Sequence, residues 1–483
     1  MYGIFFTFLR LHEVKVTEKR VFHIAGFIVV ALGCGLFTNQ IILSDFMEEH
    51  QINIRMFRPM ESYQKYGGVL TFARSVGYAV VKKPEGYTTA KVDQIIQEYE
   101  KKSANEQQST AKQYPNIITV VNETFADIKV LGDFKTNEDY MPYFHSLKKN
   151  CVTGYTYASI VGGQTANTEF ELLTGNTLGF LSAGTTAFQL YIHGQMPSLV
   201  SNLKAEGYSG NKAMHPFNPY NYNRPAVYKD FGFTDFIDKF DFPKNVKRVR
   251  EYISDEANVD RIISEYEKNR KKTDQPFYMY NMTIQNHSPY DKDAANFKQP
   301  IKIESSKYDA EANRYLNLIK YSDDSLKQLT SYFEKCKEPT IILFLGDHQP
   351  RLTDEFMNKI TNGKYQTWSS EQMMKRYQVP FVIWANYDIK EQHIEKTSMN
   401  YMQSILTQTA GVKMTGYQRF LNEVRKEVPT ITSQGYWGKN GKFYQINDKG
   451  SPYYGIIQKY RMIQYNMMFD KKNRRDSFFE VSK

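Results

Sequence analysis

Hydrophobic residues come in three rhythms along this chain, and each predicts a different kind of structure. The first is an unbroken run, Val21 to Leu43 (VFHIAGFIVVALGCGLFTNQIIL), with no Asp, Glu, Lys or Arg in it. As a helix it would be about 34 Å long, enough for a hydrocarbon core of about 30 Å. Arg10, Lys15, Lys19 and Arg20 precede it, while Asp45, Glu48 and Glu49 follow. That asymmetry predicts a transmembrane anchor with a cytoplasmic N-terminus and everything after Ser44 outside. The competing readings are a cleaved signal peptide or a buried core helix, but the run is long for a signal peptide and lacks a clear small-x-small cleavage site. Gly3 to Leu9 (GIFFTFL) is too short to span and reads as the stub of another hydrophobic segment. The expected location is therefore the cell membrane, single-pass or the remnant of a multi-pass set.

The second rhythm is helical and mixed with charge. Gly68 to Val81 carries apolar residues at uneven spacing around one Arg, as in a helix lying on a membrane surface or packed on a protein surface. Lys91 to Gln113 is polar, with helical spacing around Val92, Ile95 and Ile96. The third rhythm begins at Pro115, where short apolar runs alternate with longer helical patterns. This predicts an α/β domain with a mainly parallel sheet covered by helices on both faces. Strands are expected at Asn116–Val121, Pro276–Ile284, Thr340–Leu345 and Pro380–Trp384. Helices are expected at Thr165–Leu173, Pro197–Glu206 and Glu311–Cys336. The organisation read from these patterns is an anchor over 1–44, an extracellular connector over 45–113, an α/β domain over 114–386 and a C-terminal extension over 387–483.

In open α/β sheets sites form beyond the carboxyl ends of the strands, and here those ends carry metal-ligand residue types. The first strand runs into Asn122-Glu123-Thr124, another into Gln285-Asn286-His287-Ser288-Pro289, and a third into Gly346-Asp347-His348-Gln349-Pro350. Two carboxylates and an imidazole at one sheet edge suit a single divalent ion, Mn²⁺ or Mg²⁺ before Zn²⁺. A nucleophile is offered by Gly162-Gly163-Gln164-Thr165, where a glycine turn enters a helix. There unpaired amides and the positive dipole end favour an alkoxide and an incoming phosphate. The plainer alternative makes Thr165 an N-cap, with Thr168 or Glu169 completing a capping box.

Composition narrows the partners. The 483 residues carry a net charge of +10, with 41% hydrophobic and 24% charged residues, ordinary for a folded protein. No zinc finger, RNA-binding aromatic signature or Lys/Arg block accompanies the charge, so no nucleic-acid partner is expected. Anionic lipid or an anionic polymer remains. The 36 Tyr and 32 Phe suit carbohydrate or interfacial contact. Three cysteines form neither a metal-binding pair nor an even disulfide framework.

Across Pro115 to Trp384 the sequence resembles the lipoteichoic acid synthases and related phosphoglycerol transferases of the sulfatase fold, within the alkaline phosphatase superfamily. The family pattern Gly-x-Thr-x-x-x-Glu-Phe is matched by Gly163, Thr165, Glu169 and Phe170. The resemblance implies that Glu123, Thr165, Asp347 and His348 hold one divalent metal, most often Mn²⁺, and that Thr165 is the nucleophile. It places the donor headgroup against His215, Tyr222 and Arg224, with the family's His–aromatic–Arg spacing, and makes His287 a substrate-binding and catalytic residue. The donor implied is phosphatidylglycerol, and the acceptor a glycolipid, teichoic acid or cell-wall polysaccharide. Some positions depart from the family: Tyr222 stands where well-known members have Trp, Gln164 where they have Lys, and Ala166-Asn167 where they have Ser-Asp. Two other functions stay open at this point. One is a metal-dependent hydrolase, although Thr165-Ala166-Asn167-Thr168-Glu169 lacks the Pro and Arg of a sulfatase motif; the other is a non-catalytic, glycan-binding relative.

Overall fold

The computed structural model describes residues 20–43, 59–79, 81–103, 113–304 and 309–481, which fall into two compact units, 1–80 and 81–483. In the first, α1 (Arg20–Phe37) continues through a π-helical turn, Thr38–Leu43, and its apolar side chains are exposed. The stretch Phe22–Ile41 is long and apolar enough to cross a membrane. Helices α2 (Pro59–Tyr66) and α3 (Gly68–Ala79) follow, and α3 packs against the π-helical turn. The stub at Gly3 to Leu9 and most of the flanking charges lie outside the described residues.

The second unit is built on an eight-stranded sheet. In chain order its strands are β1 (Asn116–Asn122), β2 (Cys151–Tyr157), β3 (Ser209–Met214), β4 (Asp235–Ile237), β5 (Phe277–Met282), β6 (Thr340–Gly346), β7 (Gln378–Ala385) and β8 (Gln392–Ser398). In space the order is β8-β2-β7-β6-β1-β5-β3-β4, and only β7 runs against its neighbours. The sheet is mainly parallel, as the sequence predicts, and β1 lies between β5 and β6 near its centre.

Alternate residues of the central strands feed two separate cores. Ile117, Val121, Tyr278, Tyr280, Leu343 and Leu345 join one, while Ile118, Val120, Met279, Ile342 and Phe344 join the other. Strands apolar on both faces must be covered on both. After the N-terminal helix α4 (Thr89–Ser103), the covering helices are α5 (Thr165–Thr174), α6 (Arg224–Phe231), α7 (Asp255–Arg270), α8 (Ala310–Phe333), α9 (Gly416–Glu427) and α10 (Tyr454–Phe469). Helices α7 and α8 lie on one face, and α4, α5, α6, α9 and α10 on the other.

The ends of this unit are woven in. Residues of α4, read from sequence as part of the connector, are buried: Val92, Ile95 and Tyr99 belong to the core shared with α9 and α10. Asp93 takes two hydrogen bonds from Arg475, at 2.5 and 2.7 Å. The C-terminal segment, read as an extension, supplies β8 at the sheet edge as well as α9 and α10. Strands β2, β3 and β8 were not predicted, because their sequences (CVTGYTY, SGNKAM, QHIEKTS) carry polar residues or glycine where the central strands are apolar.

Helix α4 supplies a test of where this unit starts. In a fragment of residues 81–483, Ile95→Ala is expected to cost about 2–5 kcal/mol, the usual range for deleting a buried aliphatic side chain. Urea unfolding measures it; a change within about 0.5 kcal/mol would mark the helix as a surface connector.

Candidate active site

Strand ends at the centre of the sheet bring Glu123, Asp347 and His348 together. β1 and β6 are parallel neighbours, with Asn122 opposite Gly346, so the residues that follow them leave the sheet side by side. Gly346 is required there. A Cβ at this position would sit 1.9 Å from the Phe125 carbonyl oxygen, closer than any side chain permits.

Asp347 then divides its carboxylate between fold and pocket. Oδ1 accepts from the amides of Thr124 (2.7 Å) and His348 (2.8 Å). Oδ2 is buried with no hydrogen-bond partner. His348 is arranged the same way: its Nδ1–H donates to the Gln349 carbonyl at 2.9 Å, which leaves Nε2 buried, unpartnered and turned toward the carboxylates. Nε2 lies 3.2 Å from Asp347 Oδ2 and 3.9 Å from Glu123 Oε1.

The ligand atoms of Glu123, Asp347 and His348 all lie within 4.8 Å of one another. Burial, followed by the charge of Asp347, pushes the Glu123 carboxyl well above the usual carboxylate range. A divalent cation would reverse both effects, since it replaces lost hydration and neutralises the repulsion. Orphaned Oδ2 and Nε2 atoms beside two carboxylates are the donor set a single such ion needs, so the residues fit the metal that the resemblance implies.

Thr165 completes the group. Its Oγ1 lies 3.5 Å from Glu123 Oε2, and the residue is 6% exposed. The turn before it is unusual: Gly162, Gly163 and Gln164 have φ of 67°, 139° and 68°. A β-carbon at Gly162 would press on Arg351 at 3.0 Å, so glycine is needed for space as well as for conformation. The turn makes Gln164 the N-cap of α5 and puts Thr165 in its first turn. The capping-box alternative fails on partners. Thr168 gives its hydroxyl to the Asp347 carbonyl at 2.8 Å, and Glu169 is committed elsewhere.

Glu169, which the sequence offered only as a capping residue or a motif position, is an anchor. It is fully buried and accepts from Arg224 Nε (3.1 Å) and Nη2 (2.7 Å), from Tyr280 OH (3.2 Å) and from Tyr228 OH. Arg224 is itself 1% exposed, and its guanidinium stacks 5.1 Å over the Tyr222 ring. Tyr222 and Asn223 hold φ of 60° and 59°, a costly conformation for residues other than glycine.

His215, also buried, donates Nδ1–H to the Met282 carbonyl at 3.0 Å. Burial and the Arg224 charge hold it well below the usual histidine range, so it is neutral. His287 donates Nδ1–H to its neighbour's carbonyl (Ser288, 2.7 Å), and burial lowers its pKa as well. The charges of Glu123, Glu169 and Asp347 act on Tyr222, that of Arg224 on Glu123, and that of Asp347 on His287. All eight residues singled out in the sequence therefore belong to one electrostatic neighbourhood. A further buried set lies behind them: Asn286 Nδ2 donates to Asn122 Oδ1, the Glu123 carbonyl and Ser322 Oγ, while Asp255 Oδ2 accepts from Asn122 and Ser322. These residues come from four distant segments, so no local motif announces them.

An α/β sheet of this order, with carboxylates, imidazoles and a threonine hydroxyl gathered beyond its strand ends, is the architecture of the alkaline phosphatase superfamily. The chain belongs to the sulfatase family, whose pattern it matches over residues 115–412. It is similar to a Rhizobium meliloti protein named for cyclic beta-1,2-glucan modification, 30% identical over 433 residues, covering 88% of this chain and 65% of that protein. It is also similar to the lipoteichoic acid synthase-like YvgJ of Bacillus subtilis, 27% identical over 48% of this chain and 36% of that protein. The chain thus spans only part of the length of these relatives. Among solved structures, the phosphoglycerol transferase GacH of Streptococcus pyogenes, in complex with sn-glycerol-1-phosphate, has the same fold. Its TM-score is 0.67 at 20% identity, covering 83% of this chain and 100% of that one.

Helix α5 also carries Glu171, whose behaviour with pH is predictable. Oε1 accepts from Ser159 (2.7 Å), Thr177 (3.2 Å) and the Leu178 amide (2.9 Å), while Oε2 is buried without a partner. Burial raises its pKa from an ordinary 4.5 to about 7. The raised value means that Glu171 contributes stability fully below pH 4.5 and loses it as pH rises through 7. Glu171→Gln keeps the Oε1 bonds and removes the titration. The substitution should be about 3 kcal/mol more favourable at pH 8 than at pH 5, read by urea unfolding at both.

Proposed function

We propose that the protein is a membrane-anchored phosphoglycerol transferase that moves glycerol phosphate from phosphatidylglycerol to a cell-envelope glycan acceptor through Thr165. The observation that carries this reading is the placement of Thr165 Oγ1 in the first turn of α5, 3.5 Å from a carboxylate of a buried, partner-poor Glu123–Asp347–His348 group. Similarity to lipoteichoic acid synthase-like and phosphoglycerol transferase proteins supports the substrate class. With α1 as the anchor and the basic residues before it on the cytoplasmic side, the site faces the outside, where such acceptors are found.

Glu123, Asp347 and His348, with Thr165, would hold one divalent ion, Mn²⁺ in our reading. When bound, such an ion lowers the pKa of a hydroxyl and draws charge from a phosphate. The residues supply the rest. Amides in the first turn of α5 face the phosphate. Arg224, locked by Glu169, sets a fixed positive charge beside it, and neutral His215 offers a hydrogen bond without adding charge. Thr165 Oγ1 passes its proton to Glu123 Oε2, 3.5 Å away, and attacks phosphorus; it recovers that proton when the acceptor takes the glycerol phosphate. The bond to the diacylglycerol oxygen breaks, and that oxygen takes a proton from His287. An acceptor hydroxyl then returns a proton to His287 and takes the glycerol phosphate from Thr165. The lowered pKa of His287 makes its protonated ring a stronger acid and its neutral ring the commoner form, which suits a group that must act both ways.

Three substitutions test this reading. Added Mn²⁺ should raise the melting temperature of the wild type, and Asp347→Asn should abolish that rise; a rise that survives would place the ion elsewhere. Thr165→Ala should lower diacylglycerol release from phosphatidylglycerol by several orders of magnitude, while Thr165→Ser keeps a part of it. Mass spectrometry of the peptide containing Thr165, after incubation with phosphatidylglycerol alone, should find a glycerophospho group on Thr165. Turnover with an unmodified Thr165 would instead favour direct attack by water or acceptor, as in a hydrolase.

A further inference from the structure

The alcohol that leaves in the first half of such a reaction and the one that enters in the second must both approach from the His287 side, because the same proton exchange runs in reverse. What borders His287 is therefore informative. Its ring stacks on Phe217 (6.2 Å between centroids, 22° between planes) and lies 5.7 Å from the Tyr252 ring. Phe217 and Tyr252 are in turn walls of a groove of ≈ 520 Å³, which adjoins the histidine through these two rings.

Its other walls combine cations with aromatic faces. Lys239, Lys244 and Arg248 line it, and Glu251 is the one carboxylate among its lining residues. Among the described residues neither Lys239 nor Lys244 is paired with an acid; the Lys239 ammonium instead rests over the rings of Phe240 (4.9 Å) and Phe217 (5.9 Å). Phe240, one of the lining residues, is 73% exposed and so presents its ring to the groove and to solvent. Some lysines elsewhere on this unit are paired with acids, among them Lys439 with Glu427 and Lys449 with Glu85.

We infer that this groove is the acceptor subsite, and that it takes an anionic glycan. The inference rests on the transferase reading above. Aromatic faces pack against the C–H faces of sugar or polyol units, and unpaired lysines answer negative charges along the chain. The acyl chains of a leaving diacylglycerol would need a continuous apolar wall, which Lys239, Lys244 and Arg248 interrupt.

The experiment uses the whole protein in lipid nanodiscs with a fluorescent glycerol phosphate oligomer as probe and neutral maltohexaose as comparison. Binding of the charged probe by fluorescence anisotropy should weaken roughly tenfold in Lys239→Gln/Lys244→Gln and in Phe240→Ala, and should fall with added salt. In turnover, glycerol phosphate transferred to the oligomer, relative to that released free, should fall by a similar factor. The paired lysines provide the control: Lys439→Gln/Lys449→Gln should leave both readings as in the wild type. Equal loss in the control, unchanged binding in the groove variants, or equally tight binding of maltohexaose would each overturn the inference. The two ideas fail differently. Donor cleavage with an unaltered transfer ratio in the groove variants sinks the groove alone. Groove-dependent probe binding in a wild type that releases no diacylglycerol sinks the transferase reading and leaves the groove an anionic-glycan site.

Discussion

Two carboxylates buried beside an imidazole, with ligand atoms all within 4.8 Å of one another, repel each other and lose hydration together, and a fold can tolerate that only if something compensates. Much of the architecture serves this constraint. Amides of Thr124 and His348 hold one oxygen of Asp347, the Gln349 carbonyl fixes the imidazole, and Asn286 holds the backbone of Glu123. None of these bonds neutralises the charge. They orient the free atoms toward one point, which is what a cation site demands and a hydrophobic core would never select.

The second organising contact is the Arg224–Glu169 pair. A buried ion pair contributes little net stability but is costly to break from one side, so it serves better as a fixture than as a source of stability. Because Glu169 lies one turn beyond Thr165 on α5, the guanidinium is registered to the same helix as the Thr165 hydroxyl. The strained backbone at Tyr222 and Asn223 delivers Arg224 to that position.

How much of this could be read in the sequence depended on burial. β1, β5, β6 and β7 are apolar on both faces and were legible as strands; β2, β3 and β8 mix polar residues and glycine into positions that tertiary context alone makes extended. The residues ending β1 and β6 stood out because several strand ends carry ligand types together; an Asp-His pair after one strand is by itself more often a turn. The spacing from Thr165 to Glu169 was visible too, yet Glu169 looked like a capping residue, since its partners Arg224, Tyr228 and Tyr280 lie on other elements. The Asn122–Asp255–Asn286–Ser322 set had no signal at all. Helix α4 looked like a linker because its buried stripe is narrow and its other faces are charged.

The position of β1 bears on how the chain is made. It is the first strand of the sheet to be synthesised and ends up between β5 and β6, with Asn116 opposite Thr340. Thr124 and Asp347, joined by a single amide hydrogen bond, are 223 residues apart. Strand pairing over such separations is slow, because the loop must close before the contacts reward it. A nascent chain therefore presents Glu123 and Thr165 long before it has the strand that completes their surroundings. The centre of the sheet closes only after residue 346 has emerged, and β7 and β8 still follow. Until then β1 is an apolar strand with the edge that β6 will cover still open, the kind of segment that chaperones shield. The site is thus assembled only when nearly the whole domain has been delivered, and a chain interrupted earlier has Glu123 and Thr165 without Asp347 and His348.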